Sequence, residues 1–254
     1  MKLELLGHAC VVITSEVSGK RLMLDPYEPG GFGGKMAYLP ITHEVDAVLC
    51  THDHLDHCAV DGLPGSPPRL SLERREEGGR DGREFMAARA PDGFEVSAFT
   101  LDHDEYGGRR FGGEVLACKI TCDGWTLLHL SDVGHSPGVR EVQWAGEVDV
   151  LLVPTGGLYT IGALQAVEWV ERIGPKLIVP MHYQTSACHL PIGGLDLFLA
   201  RLPPGIERID PALDDHTICV DVCSCRLLLL TMQCEVSRTD PARARSELRL
   251  PERK

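Results

Sequence analysis

Thr51-His52-Asp53-His54-Leu55-Asp56-His57 sets three imidazoles and two carboxylates in seven consecutive residues, directly after the strand-like stretch Asp46-Ala47-Val48-Leu49-Cys50. Neutral imidazole and carboxylate are the usual ligands of zinc and its first-row neighbours. Desolvating so many polar groups at a strand end is costly unless something binds them. Solvated turns are normally built from Gly, Asn, Pro and Ser instead. The run therefore reads as the first part of a metal site.

The remaining ligands should stand at the ends of other strands, where the loops of layered α/β proteins converge. Three places fit. His103-Asp104 follows the apolar stretch Phe94–Leu101, Asp132 follows Trp125–Leu130, and His182 follows Lys176–Pro180.

These pieces belong to a longer ordered set. Leu6-Gly7-His8-Ala9-Cys10 and Leu24-Asp25-Pro26-Tyr27 precede the His-rich run. His103-Asp104-Glu105 with Gly107-Gly108, His129-Leu130-Ser131-Asp132-Val133-Gly134-His135, Pro154-Thr155-Gly156-Gly157, Pro180-Met181-His182-Tyr183 and Leu190-Pro191-Ile192-Gly193 follow it. Each motif alone is weak, but the order is specific. Over roughly residues 3 to 200 the chain resembles the metallo-β-lactamase-fold hydrolases, in the branch that includes ascorbate-6-phosphate lactonase. The pattern departs from the family in two places. Ser131 stands where the family usually has Gly, and Arg109–Glu114 only partly matches an Arg-Gly-x-Asn pattern.

The resemblance implies an α/β fold: an αββα sandwich of two mixed β-sheets flanked by helices. It implies that His52, His54 and His103 hold one divalent metal ion, that Asp56, His57 and His182 hold a second, and that Asp132 bridges them. Two ions about 3.5–4 Å apart share a hydroxide near neutral pH and polarise a carbonyl or phosphoryl oxygen. The implied function is a binuclear metal-dependent hydrolase acting on a small ester, lactone or phosphoester. Zinc is the default for so His-rich a site, with manganese and iron also compatible. The alternative class is a metal-bearing protein that binds or senses a small metabolite without substantial turnover.

Composition bounds the partners. The chain has 254 residues, 43% of them hydrophobic, and a formal net charge of −12. That is enough for a sizeable core, and the negative charge argues against a nucleic-acid surface. The sequence shows no apolar run long enough to span a membrane and no secretory signal, so the expectation is a cytoplasmic protein, with homo-oligomers open. The ten cysteines then read as reduced thiols.

Periodicity predicts a strand meander over residues 3–6, 10–14 and 20–25, a hairpin of 115–121 and 125–130 around Asp123-Gly124, strands at 148–153 and before His182, and helices near 139–144, 162–173 and 195–202. Two late strands are expected near 218–222 and 226–231. The Gly-rich loop Pro29–Gly34 reads either as a border of the site or as an ordinary connection. Residues 61–93 are poor in apolar positions and read as short or poorly ordered. One hydrolase domain is expected over 1–235, followed by a basic, flexible tail over 236–254.

Further side chains have candidate roles. Asp53 could orient a ligand or pass a proton, and Tyr183 could donate to a developing oxyanion. His8 and His129 read as orienting the ligands, with a satisfied core histidine as the other reading of His129. His135 is the histidine best placed for substrate. Arg109 and Arg110 suit recognition of an anionic substrate, or form a solvated surface pair.

Overall fold

Most strands are short continuous apolar runs whose side chains point in turn to two different cores, and they build two stacked sheets. The computed structural model describes residues 1–74, 84–87, 89–110 and 113–209, together with the strand segments 217–219, 228–230 and 246–249. The chain opens with β1 (Lys2–Gly7), β2 (Cys10–Thr14) and β3 (Arg21–Leu24), and a single turn α1 (Gly31–Gly34) precedes β4 (Ala47–Leu49). A meander follows through β5 (Leu72–Arg74), β6 (Glu84–Ala87), β7 (Phe94–Asp102), β8 (Glu114–Cys122) and β9 (Trp125–His129). Then α2 (Val139–Ala145), β10 (Val150–Pro154), α3 (Ala163–Ile173), β11 (Leu177–Met181) and α4 (Asp196–Leu199) alternate. The last strands are β12 (Glu207–Ile209), β13 (Thr217–Cys219), β14 (Leu228–Leu230) and β15 (Ser246–Arg249).

Among the described residues, six strands form one sheet in the order β13-β15-β1-β2-β3-β4 and nine form the other, β12-β14-β11-β10-β9-β8-β7-β6-β5. Both are mixed. β1 to β3 are antiparallel and β3–β4 is parallel. β5 to β9 are antiparallel, whereas β9, β10, β11, β14 and β12 run parallel. The sandwich expected from the sequence is the fold observed.

Register explains the layers. Val11 and Ile13 of β2, Cys118 and Ile120 of β8, and Val150 and Leu152 of β10 meet in the core between the sheets. Their neighbours Leu151 and Val153 face the other way, against Ala166, Trp169 and Val170 of α3. α3 carries a left-handed C-cap at Gly174 (φ 62°), directly before Pro175, which is why it stops there. The outer face of the six-stranded sheet is covered mainly by loop residues, with Val12 and Met23 packing on Met36, Tyr38 and Ile192.

Two regions add strands beyond those named from periodicity. Leu72–Arg74 and Glu84–Ala87 extend the nine-stranded sheet at its edge, while 75–83 and 88 lie outside the described residues. Within the segment expected as a flexible tail, Ser246–Arg249 pairs antiparallel with Lys2–Leu5, so part of it is hydrogen-bonded into the first sheet. The rest of 236–254 lies outside the described residues. No helix among the described residues is long and apolar enough to cross a membrane.

The strand directions place the site. β1, β3 and β4 share one direction, so their carboxyl ends lie at the same end of their sheet. β7, β9, β10 and β11 do likewise in the other. His8, Asp25, the His-rich run, His103, Asp132 and His182 each follow one of these strand ends.

At the opposite end, the β8–β9 hairpin fastens the two sheets. Asp123 and Gly124 both have positive φ (50° and 76°), the conformation of a tight hairpin turn. The Asp123 carboxylate accepts from Ser15 Oγ (2.7 Å) and the Glu16 backbone N–H (2.8 Å), both just past β2. Burial pushes its carboxyl up, but the bonds from Ser15 and Glu16 outweigh this and hold it below the usual carboxylate value. Its stabilising contribution is therefore complete above the unfolded pKa and is lost as pH falls through the lower folded one. Asp123→Asn, which tolerates the same backbone conformation, should cost about 1 kcal/mol at neutral pH in urea unfolding, and the difference should shrink between about pH 5 and pH 3. A constant difference across that range would show that the carboxylate charge plays no part in the clasp.

Candidate metal centre

The backbone turns sharply where the strands end. His8, Asp25, Ser131 and His182 all have left-handed φ, between 49° and 54°. Such values are uncommon for residues other than Gly and cluster where structure is held for function. Two glycines let the loops abut. A Cβ on Gly134 would collide with the backbone of Asp104, and one on Gly156 with the carbonyl of His182. The Asp132 loop thus lies directly against the His103 loop, and the β10 loop against His182.

Eight side chains converge in two groups. His52, His54, His103 and Asp132 form one, and His8, Asp56, His57 and His182 the other, with the ligand atoms of each group within 4.8 Å of one another. Asp132 stands between them. Its Oδ1 is 3.2 Å from His57 Nε2, and its Oδ2 is 3.4 Å from His182 Nε2 and 3.7 Å from the Nε2 atoms of His52 and His103. The seven residues expected as ligands are all brought together. His8 joins them directly, its Nε2 3.2 Å from Asp56 Oδ2.

A hydrogen-bond network behind the groups aims the rings. Asp25 accepts from His57 Nδ1 (2.8 Å), Thr51 Oγ1 (2.7 Å) and the Thr51 N–H (2.8 Å). The bond at Nδ1 turns His57 Nε2 toward Asp132. Ser131 Oγ donates to Thr51 Oγ1 (2.6 Å), and both hydroxyls lie within 3.3 Å of His52 Nδ1. Ser131 keeps the left-handed backbone that suits Gly and adds a hydroxyl that Gly lacks. His129 accepts from the Ser131 N–H at Nδ1 (3.1 Å) and donates from Nε2 to the Ala9 carbonyl (3.0 Å), tying β9 to the β1–β2 turn.

The electrostatics fit a cation. Burial alone would raise the carboxyls of Asp25, Asp56 and Asp132. Each is instead held below the usual range, by His57 beside Asp25 and Asp56, and by His182 and His57 beside Asp132. Burial pushes His52 down to about 3 and His8 to about 4, with help from His57 and His182 respectively. Both rings are neutral at pH 7 and can offer a lone pair. Burial would lower His57 as well, but Asp132, Asp56 and Asp25 outweigh it and raise that ring well above its ordinary value. His57 Nε2 and Asp132 Oδ1 are buried facing each other at 3.2 Å, and neither takes a hydrogen bond from any other group. Three buried carboxylates thus call for more positive charge than His57 supplies, at the point where the neutral rings of His52 and His8 converge. Divalent ions of the zinc type meet that demand, and the donor set suits them.

Two cavities open on the groups. One, of about 400 Å³, has His54, Asp56, His103, Asp132 and His182 on its floor, with Asp53, Phe32, Leu55, Tyr159 and Leu190 around them. The second, of about 250 Å³, shares His103 and Tyr159 with the first and is lined by Asp104, Glu105 and Arg110. Asp104 accepts from the backbone N–H groups of Tyr106, Gly108 and Arg110, so it shapes this loop.

Several expected contacts lie elsewhere. Tyr183 packs into the core between the sheets because it continues the face of Leu177, Val179 and Met181, and it lines neither cavity; Tyr159 borders both instead. His135 bonds the Ser136 carbonyl (2.9 Å) and the Asp102 N–H (3.4 Å) and lines neither cavity. Arg109 donates to the Tyr106 carbonyl at an exposed position (2.7 Å), and Arg110 lines only the second cavity. Asp53 does face the first cavity and is bridged by Arg69 (2.8 Å), which holds its carboxyl below the usual range. Asp53 is therefore an anion at neutral pH and can accept or relay a proton more readily than supply one. Sequence reasoning passed over the roles of Asp25 and Thr51. Asp25 stands at a strand end within a quoted motif, a signal shared with every ligand.

Known proteins identify the family. Residues 2–182 match the model of the beta-lactamase superfamily domain. A UPF0173 protein of Pyrococcus abyssi is 31% identical over 197 residues, covering 73% of this chain and 84% of the relative. A UPF0173 metal-dependent hydrolase of Methanospirillum hungatei is 28% identical over 201 residues, with the same coverage. A crystal structure from Thermotoga maritima, of the metallo-beta-lactamase superfamily, superposes with a TM-score of 0.61 at 25% identity, covering 90% of this chain and 97% of that one. By its matching domain, its relatives and its paired sheets, the chain belongs to the beta-lactamase superfamily and has the metallo-β-lactamase fold.

Proposed function

We propose that this protein is a binuclear metal-dependent hydrolase of a small ester, lactone or phosphoester. The observation that carries the reading is the position of Asp132, whose two oxygens stand 3.2–3.7 Å from the Nε2 atoms of four histidines drawn from both groups. One carboxylate so placed can serve two ions. His52, His54 and His103 would complete one site, and Asp56, His57 and His182 the other, with His8 holding the Asp56 carboxylate. Bound divalent cations would acidify water and polarise the scissile carbonyl or phosphoryl oxygen. Zinc suits the donor set by default.

The chain's own side chains supply orientation and proton handling. Asp25 fixes the tautomer and direction of His57, and Thr51 with Ser131 does the same for His52. Asp53, anionic at the cavity mouth, accepts a proton released during attack and can return it to the leaving group. The cavity floor keeps the reacting group against the ligand cluster, and Tyr159 at its border is placed to contact the substrate.

The first test is metal content. Purified wild-type protein should carry about two divalent ions per chain by elemental analysis, and His52→Ala or Asp56→Ala should lose at least one of them without loss of the folded circular-dichroism spectrum. A protein that takes up no divalent metal even on reconstitution would sink the proposal. The second test is turnover. Profiling lactones, esters and phosphoesters should reveal a substrate whose hydrolysis Asp132→Ala lowers by at least about 10³-fold. Turnover indifferent to Asp132 would place the chemistry elsewhere, and metal binding with no turnover would favour the binding-protein reading. Removing the network behind the ligands should have a smaller effect. Asp25→Asn should weaken metal affinity about 10- to 100-fold, read by chelator competition, because it frees His57 to rotate.

A further inference from the structure

The cavity above the ligand cluster has a floor and a wall of opposite character. All its polar lining apart from Asp53 and Tyr159 belongs to the ligand groups, and no Lys or Arg lines it among the described residues. The wall is made by Phe32, Leu55, Tyr159 and Leu190. Phe32 and Leu55 are 43% and 55% exposed. Singly exposed hydrophobic side chains are ordinary on protein surfaces, but these two stand on the rim of one cavity, next to buried Leu190.

The backbone that presents Phe32 points the same way. Phe32 (φ 52°, ψ 42°) and Gly33 (φ 67°, ψ 37°) are both left-handed within α1. A bulky aromatic residue in that region is an outlier, and strain of this kind persists where the surroundings hold it for a purpose. The turn is tied down on both sides, by Gly30 N–H to the Met36 carbonyl (2.7 Å) and by Met36 N–H to the Gly31 carbonyl (3.2 Å). Leu55 is the one apolar residue between His54 and Asp56, so the ligand loop itself carries part of the wall. Apolar walls with a few convergent polar groups are the usual make-up of a small-molecule site, and about 400 Å³ lies within the usual size range.

We propose that the substrate presents an apolar group, a chain of several carbons or a single ring, to the wall of Phe32, Leu55, Tyr159 and Leu190, and that Phe32 sets the size accepted. The inference rests on the hydrolase reading and names the substrate class within it: an ester or lactone with an apolar acyl part. The guanidinium groups expected to select an anion lie outside this wall, so discrimination comes from apolar surface removed from water. Each seated methylene contributes enough to raise kcat/KM about fourfold.

The test uses the metal-loaded protein and two series of equal chain lengths. One is a set of chromogenic esters with a common leaving group and acyl chains from acetyl to octanoyl. The other is the matching free carboxylates, whose binding is measured by calorimetry. Both kcat/KM and carboxylate affinity should rise with chain length until the cavity is filled. Phe32→Ala should lose about tenfold more on hexanoyl than on acetyl compounds in both series, and Phe32→Leu should restore most of that selectivity. Esters turned over with no dependence on chain length would overturn the apolar wall and leave the hydrolase reading standing. Carboxylate affinity that rises with length and flattens in Phe32→Ala, with no ester, lactone or phosphoester turned over, would keep the wall and overturn the hydrolase reading. No length dependence in either series would overturn the wall, and the absence of turnover as well would overturn both.

Discussion

Three carboxylates, Asp25, Asp56 and Asp132, are buried where the carboxyl ends of two sheets meet, and the rest of the site follows from that placement. A buried carboxylate is costly unless it is paired or coordinated. The fold answers with imidazoles: His57 touches all three, while His8 and His182 reach Asp56, and His52, His103 and His182 reach Asp132. Imidazoles balance only part of that charge, because burial drives His52 and His8 toward their neutral forms. The same burial that makes the rings good ligands makes them poor counter-ions. A divalent cation would resolve the conflict, since it would accept the lone pairs and supply the charge together.

Holding these groups in register strains the backbone. Left-handed conformations at His8, Asp25, Ser131 and His182 cost on the order of 1–2 kcal/mol each. The sandwich tolerates this because the strands leading into them are buried on both faces, with Leu22–Leu24, Leu127–Leu128 and Leu177–Met181 inaccessible to solvent. Ser131 shows the compromise at one residue. A glycine would relax the turn, but the serine hydroxyl joins Thr51 to the back of His52, so strain is exchanged for orientation of a ligand.

Much of this was legible in the sequence. The His-rich run, His103, Asp132 and His182 could be read because each is a polar break at the end of an apolar strand. The strands themselves could be read because their side chains alternate between two cores. What stayed hidden depends on contacts between distant segments. Asp25 bonds Thr51 and His57, 26 and 32 positions away, and no local pattern announces such a partnership. Tyr183 looked available because it neighbours His182, but alternation sends adjacent residues to opposite faces, and it continues the face of Met181. Arg109 and Arg110 looked like an anion site from their Gly-flanked loop, whereas Asp104 gathers that loop's backbone and turns it over a separate cavity.

The site therefore divides its tasks between two kinds of structure. The floor is carried by strand ends fixed by the two cores, so its geometry is as rigid as the sandwich. Phe32, Tyr159 and Leu190 are carried by connections outside the strands, which can change length or residue without moving a ligand. Leu55 belongs to both, because it lies within the ligand run yet faces outward. On the proposed reading, reaction class would follow from the floor and substrate choice from the wall. A resemblance built on the ligand motifs can accordingly point to a metal-dependent hydrolase, while the proposed substrate class rests on a phenylalanine in a glycine-rich turn.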